Sequence, residues 1–112
     1  MNLEIRSSGD ITILALSGRF DKTTAPSIAS WLTEATSTPP ARLVVNLARV
    51  DFVDSTALAT LVQGLKRCQQ QKGNLHLCSL QRQVLMIFEL TRLDKAFNIF
   101  VDEHHAIQSF AD

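Results

Sequence analysis

Asp54, Ser55 and Thr56 stand where an apolar stretch gives way to an amphipathic one, in "VDFVDSTALATL" at residues 50–61. Residues of these types are favoured helix caps, because a side-chain oxygen accepts from the free N–H groups of the first turn. The same position suits a phosphoacceptor. A hydroxyl there lies beside unpaired N–H groups at the positive end of the helix dipole, a natural seat for an anion. Phosphorylation would add roughly −1.5 to −2 charge beside Asp54 and Asp51, enough to repel a partner docked over the loop. On spacing alone, the plain cap is the favoured reading.

Other chemistries fit less well. Ser55 lacks a Gly-x-Ser-x-Gly elbow. His76, His104 and His105 fall late in the chain, with none evidently placed as its base. Asp21, in "GRFDKTT", and Asp54 could pair as carboxylates, yet no substrate pocket follows from them. His76 and Cys78 share a strand face, but no C-x-x-C or H-x-x-x-H partners complete a metal site. Glycine-rich phosphate loops are absent. The expectation is a non-enzymatic protein without metal or cofactor.

Two loops must be held at strand ends for these residues to matter, and the hydrophobic pattern supplies the elements. Leu3 and Ile5 alternate with Glu4 and Arg6 as a half-exposed strand, "SSGD" turns, and "ITILALSG" is a second strand, so the sheet opens with a hairpin. The loop Gly18–Thr24 closes on a helix capped by Thr24 with Pro26 in its first turn. "STPP" ends that helix. "RLVVNL" reads as a strand buried on both faces, and "VDFVD" as an apolar loop after it. In the next helix Ala57, Leu58, Leu61, Val62, Leu65 and Cys68 form one stripe, closed by Gly73 in left-handed conformation. "NLHLCSL" is a strand, "QRQVLMIFELTRL" a helix, "AFNIFV" the last strand, and Glu103–Phe110 a short final helix. The predicted fold is α/β, a mixed, mostly parallel sheet in the order β-β-α-β-α-β-α-β-α, forming one domain over residues 1–112. In such sheets ligands and reactive groups gather where strands end and helices begin.

Eleven basic residues balance eleven acidic ones, so the chain has no electrostatic reason to bind nucleic acid or an anionic membrane. Its apolar runs are too short to cross a bilayer, and the N-terminus does not read as a signal peptide. Cys68 and Cys78 read as small core hydrophobes. A reduced, cytoplasmic setting is expected. The third helix carries more apolar residues than one stripe needs. Val84, Ile87, Phe88 and Leu85 fill the core, leaving Met86 and Leu90 on one flank, either covered by neighbours or free as a docking or dimer surface.

Four segments in order, "LSGRFDKTTAPSI", "LVVNLARVDFVDSTALATL", "KGNLHLCSL" and "VLMIFELTRLDKAFNIF", make the chain resemble STAS domains over nearly its whole length. The resemblance is to the single-domain anti-sigma factor antagonists of partner-switching systems. It implies that Ser55 is phosphorylated by a serine kinase that doubles as anti-sigma factor, with Thr56 as the secondary hydroxyl. It further implies reversal by a PP2C-type phosphatase. The unmodified form would bind the kinase and release the sigma factor. By the same resemblance Asp21, Asp54 and Asn46 surround the phosphorylated loop.

The chain departs from the family pattern at several positions. Ala57-Leu58-Ala59 stands where Gly-Leu-Gly is usual, favouring the helix by somewhat under 1 kcal/mol per site and placing methyl groups where a kinase would approach. Thr91-Arg92-Leu93 replaces Ser-Gly-Leu, and Leu85 and Met86 replace basic residues. These changes leave a second implication open, a constitutive STAS subunit beside the ATPase of a lipid-transport complex, docked through Met86 and Leu90. A phosphoaspartate receiver domain is disfavoured, since the chain opens with a hairpin and lacks the acidic pair after its first strand.

Overall fold

The apolar runs in the middle of the chain need cover on both faces, and that requirement shapes the fold. The computed structural model describes residues 1–111. Strands β1 (Asn2–Ser8) and β2 (Ile11–Phe20) form an antiparallel hairpin. There follow α1 (Ala25–Ala35), β3 (Arg42–Val53), α2 (Ser55–Gln70), β4 (Asn74–Cys78), α3 (Arg82–Leu90), β5 (Asn98–Phe100) and α4 (Glu103–Gln108). The strands lie side by side in chain order, parallel from β2 onward. The expected element order and mixed sheet are thus what the chain forms.

Strand alternation assigns the helices to faces. Leu14 and Leu16 of β2, Leu43, Val45 and Leu47 of β3, and Leu75 and Leu77 of β4 share one core with α1, α2 and α3. Ile11, Ile13, Val44 and Cys78 face the other side and pack on Ala106 of α4, with Phe100, Ile107 and Phe110 around them. The second face is therefore closed by α4 and the residues just after it. Both cysteines are buried, and burial pushes their thiols up to about 12 for Cys68 and about 11 for Cys78. Both stay protonated near neutral pH.

Three local expectations need correction. β3 does not stop at Leu47: "VDFV" continues it to Val53, because an equally extended β2 pairs with it through Gly18↔Val50, Arg19↔Phe52 and Phe20↔Val53. Register shifts at Ala15/Ser17 and Gly18/Arg19 make this possible, and Gly18 takes φ +105 at the second. Thr24 does not cap α1 with its side chain; its hydroxyl instead donates to the Arg19 carbonyl at 3.0 Å. Lys72, not Gly73, takes the left-handed conformation after α2, at φ 60.

Anchors from three elements hold α4 in place. Asp102 caps it, accepting from the His105 N–H at 2.9 Å. Glu103 accepts from Arg6 of β1 at 3.0 and 2.6 Å and from the Asn46 side-chain amide at 2.6 Å. Hydrogen bonding from Arg6 is the main cause holding the Glu103 carboxyl below its ordinary range. His76 of β4 lies buried beneath the helix, its ring stacked on Phe110 with centroids 3.8 Å apart and Nδ1 3.0 Å from the Ala106 carbonyl.

Burial holds the His76 pKa below its ordinary 6.5, partly opposed by the Ala106 carbonyl. Below pH 6.5 the unfolded chain takes up a proton that the folded chain resists, so stability falls as pH drops through this window toward the lower folded value. The thermal midpoint should therefore decline between about pH 6.5 and 5, above the range where carboxylates titrate. In His76→Gln that decline should flatten. An unchanged slope in the variant would place the acid sensitivity elsewhere.

Candidate functional site

Asp54 is the hinge of the site. It sits between β3 and α2 with extended backbone (φ −113, ψ −176), and its two carboxylate oxygens do different work. Oδ1 accepts from the Ala57 N–H at 2.9 Å and caps α2. Oδ2 accepts from the Lys22 N–H at 2.9 Å and ties down the loop between β2 and α1. The Asp54 N–H in turn donates to the Phe20 carbonyl at 3.3 Å. Asparagine or serine could cap the helix, but only a carboxylate offers acceptors in both directions.

Asp21 organises the facing loop. Its Oδ1 accepts from the Thr23 and Thr24 N–H groups at 3.0 and 3.3 Å, closing the turn that leads into α1. Its Oδ2 lies 3.6 Å from Arg19 Nε. Desolvation pushes the Asp21 carboxyl upward, but the two N–H donors and Arg19 outweigh it and hold the group below its ordinary range. The Arg19 guanidinium also sits 3.9 Å from the centre of the Phe52 ring, so it links Asp21 by charge to the end of β3 by cation–π contact.

Ser55 is the first residue of α2 and is exposed. Among the described residues its hydroxyl makes no hydrogen bond, and the Ser55 and Thr56 N–H groups have no protein acceptor. Asp51 and Thr56 are exposed on either side. A groove of about 290 Å³ opens beside Thr56 between α1 and α2, floored by Leu32 and Gly64, with Ala29, Ala59 and Thr60 on its walls and Arg67 at its far end. Ala57 is buried, so its methyl belongs to the core and meets no partner, contrary to expectation; only the Ala59 methyl lies on the exposed side.

Asp21, Asp54, Ser55 and Thr56 thus come together at one end of the sheet. Asn46 does not join them. It lies on the opposite sheet face, on the order of 25 Å of extended strand before Asp54, and its amide serves Glu103 and the Ala48 N–H. Met86 and Leu90 stand apart on α3, 49% and 77% exposed. Arg19, Phe52 and Lys22 escaped the sequence reading. The signal for Arg19 was its place two residues before Asp21, which became informative only once Phe52 was seen to lie across from it in β3. Among the described residues no group of three or more His, Cys, Asp or Glu side chains is placed to hold a metal, and no helix is long and apolar enough to cross a membrane.

A hairpin-led, mostly parallel sheet whose third strand ends on a capped Asp-Ser-Thr turn defines a recognisable class. The STAS domain family model matches residues 2–106, and the chain belongs to that family. An anti-sigma-B factor antagonist of Staphylococcus epidermidis is 26% identical over 88% of this chain and 92% of its own length. An anti-sigma-factor antagonist (STAS) domain protein from Planctomyces limnophilus superposes with a TM-score of 0.90 at 22% identity, covering 98% of each chain. The Bacillus cell fate determinant SpoIIAA in its phosphorylated form gives a TM-score of 0.74 at 16% identity over 96% of this chain and 98% of its own.

Proposed function

We propose that this protein is an anti-sigma factor antagonist-type regulator, a non-enzymatic binding switch thrown by reversible phosphorylation of Ser55. The observation that carries the reading is the exposed Ser55 hydroxyl on a first turn whose fold is secured by its neighbour, Asp54, and not by itself. Because the Ser55 hydroxyl takes part in no hydrogen bond among the described residues, modification can change the charge of the surface without dismantling the cap. The names of the relatives support the same role, and SpoIIAA in its phosphorylated form is a protein of this fold that carries a phosphate.

The partner side of the proposal is a serine kinase that recognises the Asp21 loop, Ser55 and the outer face of α2, with a PP2C-type phosphatase restoring the hydroxyl. A phosphate on Ser55 adds charge beside Asp54 and Asp51, and like charges brought together across an interface cost several kcal/mol. Incubation with the cognate kinase and ATP should place a single phosphate on Ser55, read by peptide mapping; phosphate elsewhere would overturn the assignment. Ser55→Ala should bind the kinase constitutively, whereas Ser55→Asp should bind about 100-fold more weakly, roughly 2.7 kcal/mol. Equal affinities in a titration calorimeter would rule out release by charge.

A second reading rests on the exposed Met86 and Leu90 side chains. In it the protein is a constitutive subunit of a lipid-transport complex, docked through α3. Co-purification with an ABC-type ATPase that survives Ser55→Asp and is lost in Leu90→Glu would favour this role over the switch.

A further inference from the structure

The hairpin leaves β1 at the end of the sheet with one edge unpaired. It pairs with β2 without interruption from Asn2↔Ser17 to Ser8↔Ile11, so its free edge is long and unbroken by a bulge. Such an edge presents N–H and C=O groups to any strand that approaches, and proteins usually blunt it with lysine, proline, a bulge or a covering segment. The sequence of β1, NLEIRSS, contains neither lysine nor proline. Its helix-side face is apolar as well. Leu3 and Ile5 stand opposite the buried Leu16 and Leu14, yet they remain 41% and 51% exposed. Met1 extends this strip, and a groove of about 200 Å³ separates it from Thr23, Ser27 and Ile28 at the start of α1.

We propose that β1 is a homodimer interface, in which a second copy of the chain adds its own β1 antiparallel across a two-fold axis at Ile5. The strand is self-complementary in one register that also pairs its charges. In a two-fold antiparallel pair one residue faces its own copy, and its neighbours face each other in reverse order. An axis at Glu4 sets Glu4 against Glu4, and an axis at Arg6 sets Arg6 against Arg6. An axis at Ile5 sets each Glu4 against the other copy's Arg6, twice, and packs Ile5 on Ile5. Opposite charges directly across a strand pair stabilise it, and like charges destabilise it.

The side chains are already arranged for this register. Glu103 holds Arg6 through both of its oxygens, fixing the guanidinium on the α4 side of the sheet. Glu4 lies on that same side with Oε1 3.3 Å from Arg6 Nε, its side chain 71% exposed and free to reach across. The joined sheets would bury both apolar strips on the helix side. Because the two-fold axis reverses strand direction, the Ser55 loops would lie at opposite ends of the joined sheet and stay open. The dimer does not depend on the phosphorylation reading.

Light scattering on the full chain, eluted by size at increasing concentration, tests the proposal. The wild type should reach twice the chain mass. Glu4→Arg, whose exposed side chain leaves folding intact by circular dichroism, should weaken the dimer about tenfold or more, because both facing pairs then set one guanidinium against another. Arg6→Glu should do likewise, because both facing pairs then set carboxylate against carboxylate, and mixing the two variants should restore a heterodimer, since each of its two facing pairs sets an arginine against a glutamate. A wild type that stays monomeric at its highest soluble concentration would overturn the interface. So would a folded Glu4→Arg that dimerises as tightly as wild type, or a mixture that gains nothing over its components.

Discussion

Adding a methyl group at position 73 is expected to destabilise the protein by about 3 kcal/mol or more, close to the upper range for overpacking. A Cβ on Gly73 would lie 1.8 Å from the Ala41 carbonyl oxygen and 2.4 Å from its carbon. Neither atom can yield, because that stretch is bound at several points. The Ala41 N–H donates to the Gln71 carbonyl at 3.1 Å, the Ala41 carbonyl accepts from the Asn74 N–H at 3.1 Å, and the Gly73 N–H donates to the Cys68 carbonyl at 2.8 Å. Gly73→Ala must therefore push the end of α2 away from the start of β3, loosening two elements of the main core. Urea unfolding followed by circular dichroism gives the test. Gly64→Ala is the comparison, since the Cβ there would meet only leucine methyl ends, at 3.0 Å from Leu32 and 3.2 Å from Leu75. Helix propensity gained at an interior glycine offsets that crowding, so Gly64→Ala should stay within about 1 kcal/mol of wild type. Equal midpoints for the two variants would refute the role assigned to the Ala41 contact.

The second large effect is expected at Asp54. Asp54→Ala removes a helix cap and the tether to Lys22 together. Loss of a cap costs about 1 kcal/mol and loss of a hydrogen bond to a charged group a similar amount or more, so about 2 kcal/mol is expected in total. Asp54→Asn separates the two. Its amide keeps an acceptor for the Ala57 N–H but turns an NH2 group toward the Lys22 N–H, so it should retain the cap and lose the tether, at about half the cost. Hydrogen exchange locates the damage. In Asp54→Asn protection should fall in the loop Asp21–Thr24 while the first turn of α2 stays protected. Fraying of α2 in both variants alike would mean that the carboxylate acts as a cap alone.

Element order followed from periodicity, since strict alternation, continuous apolar runs and the 3.6-residue stripe of α2 are local signals that packing did not override. The candidate phosphoacceptor was legible for the same reason: a capping triplet at a strand-to-helix junction is a short-range pattern. The end of β3 was not legible. "VDFV" looks like a loop until the bulged continuation of β2 is placed beside it, and a pairing partner far along the chain leaves no mark in the strand itself. Gly73 shows the same limit in reverse. Its position after a helix suggests a left-handed cap, but the reason for glycine there is an Ala41 carbonyl that only the folded chain brings near.

Asn46 and Asp54 divide the matter most sharply. Both are small polar residues on or after one strand, and family resemblance places both near Ser55. Strand alternation turns Asn46 to the face covered by α4, where it holds Glu103, while the strand's end delivers Asp54 to the loop facing Lys22. The sequence by itself determined the order of elements, the STAS class and the hydroxyl beside its cap, because each is written in neighbouring residues. Only the tertiary structure decided that the Asp54 carboxylate serves two loops, that Arg19 bridges Asp21 and Phe52, and that β1 keeps an open apolar edge. Those facts depend on which distant segments are brought within hydrogen-bonding or contact distance, and on which are not.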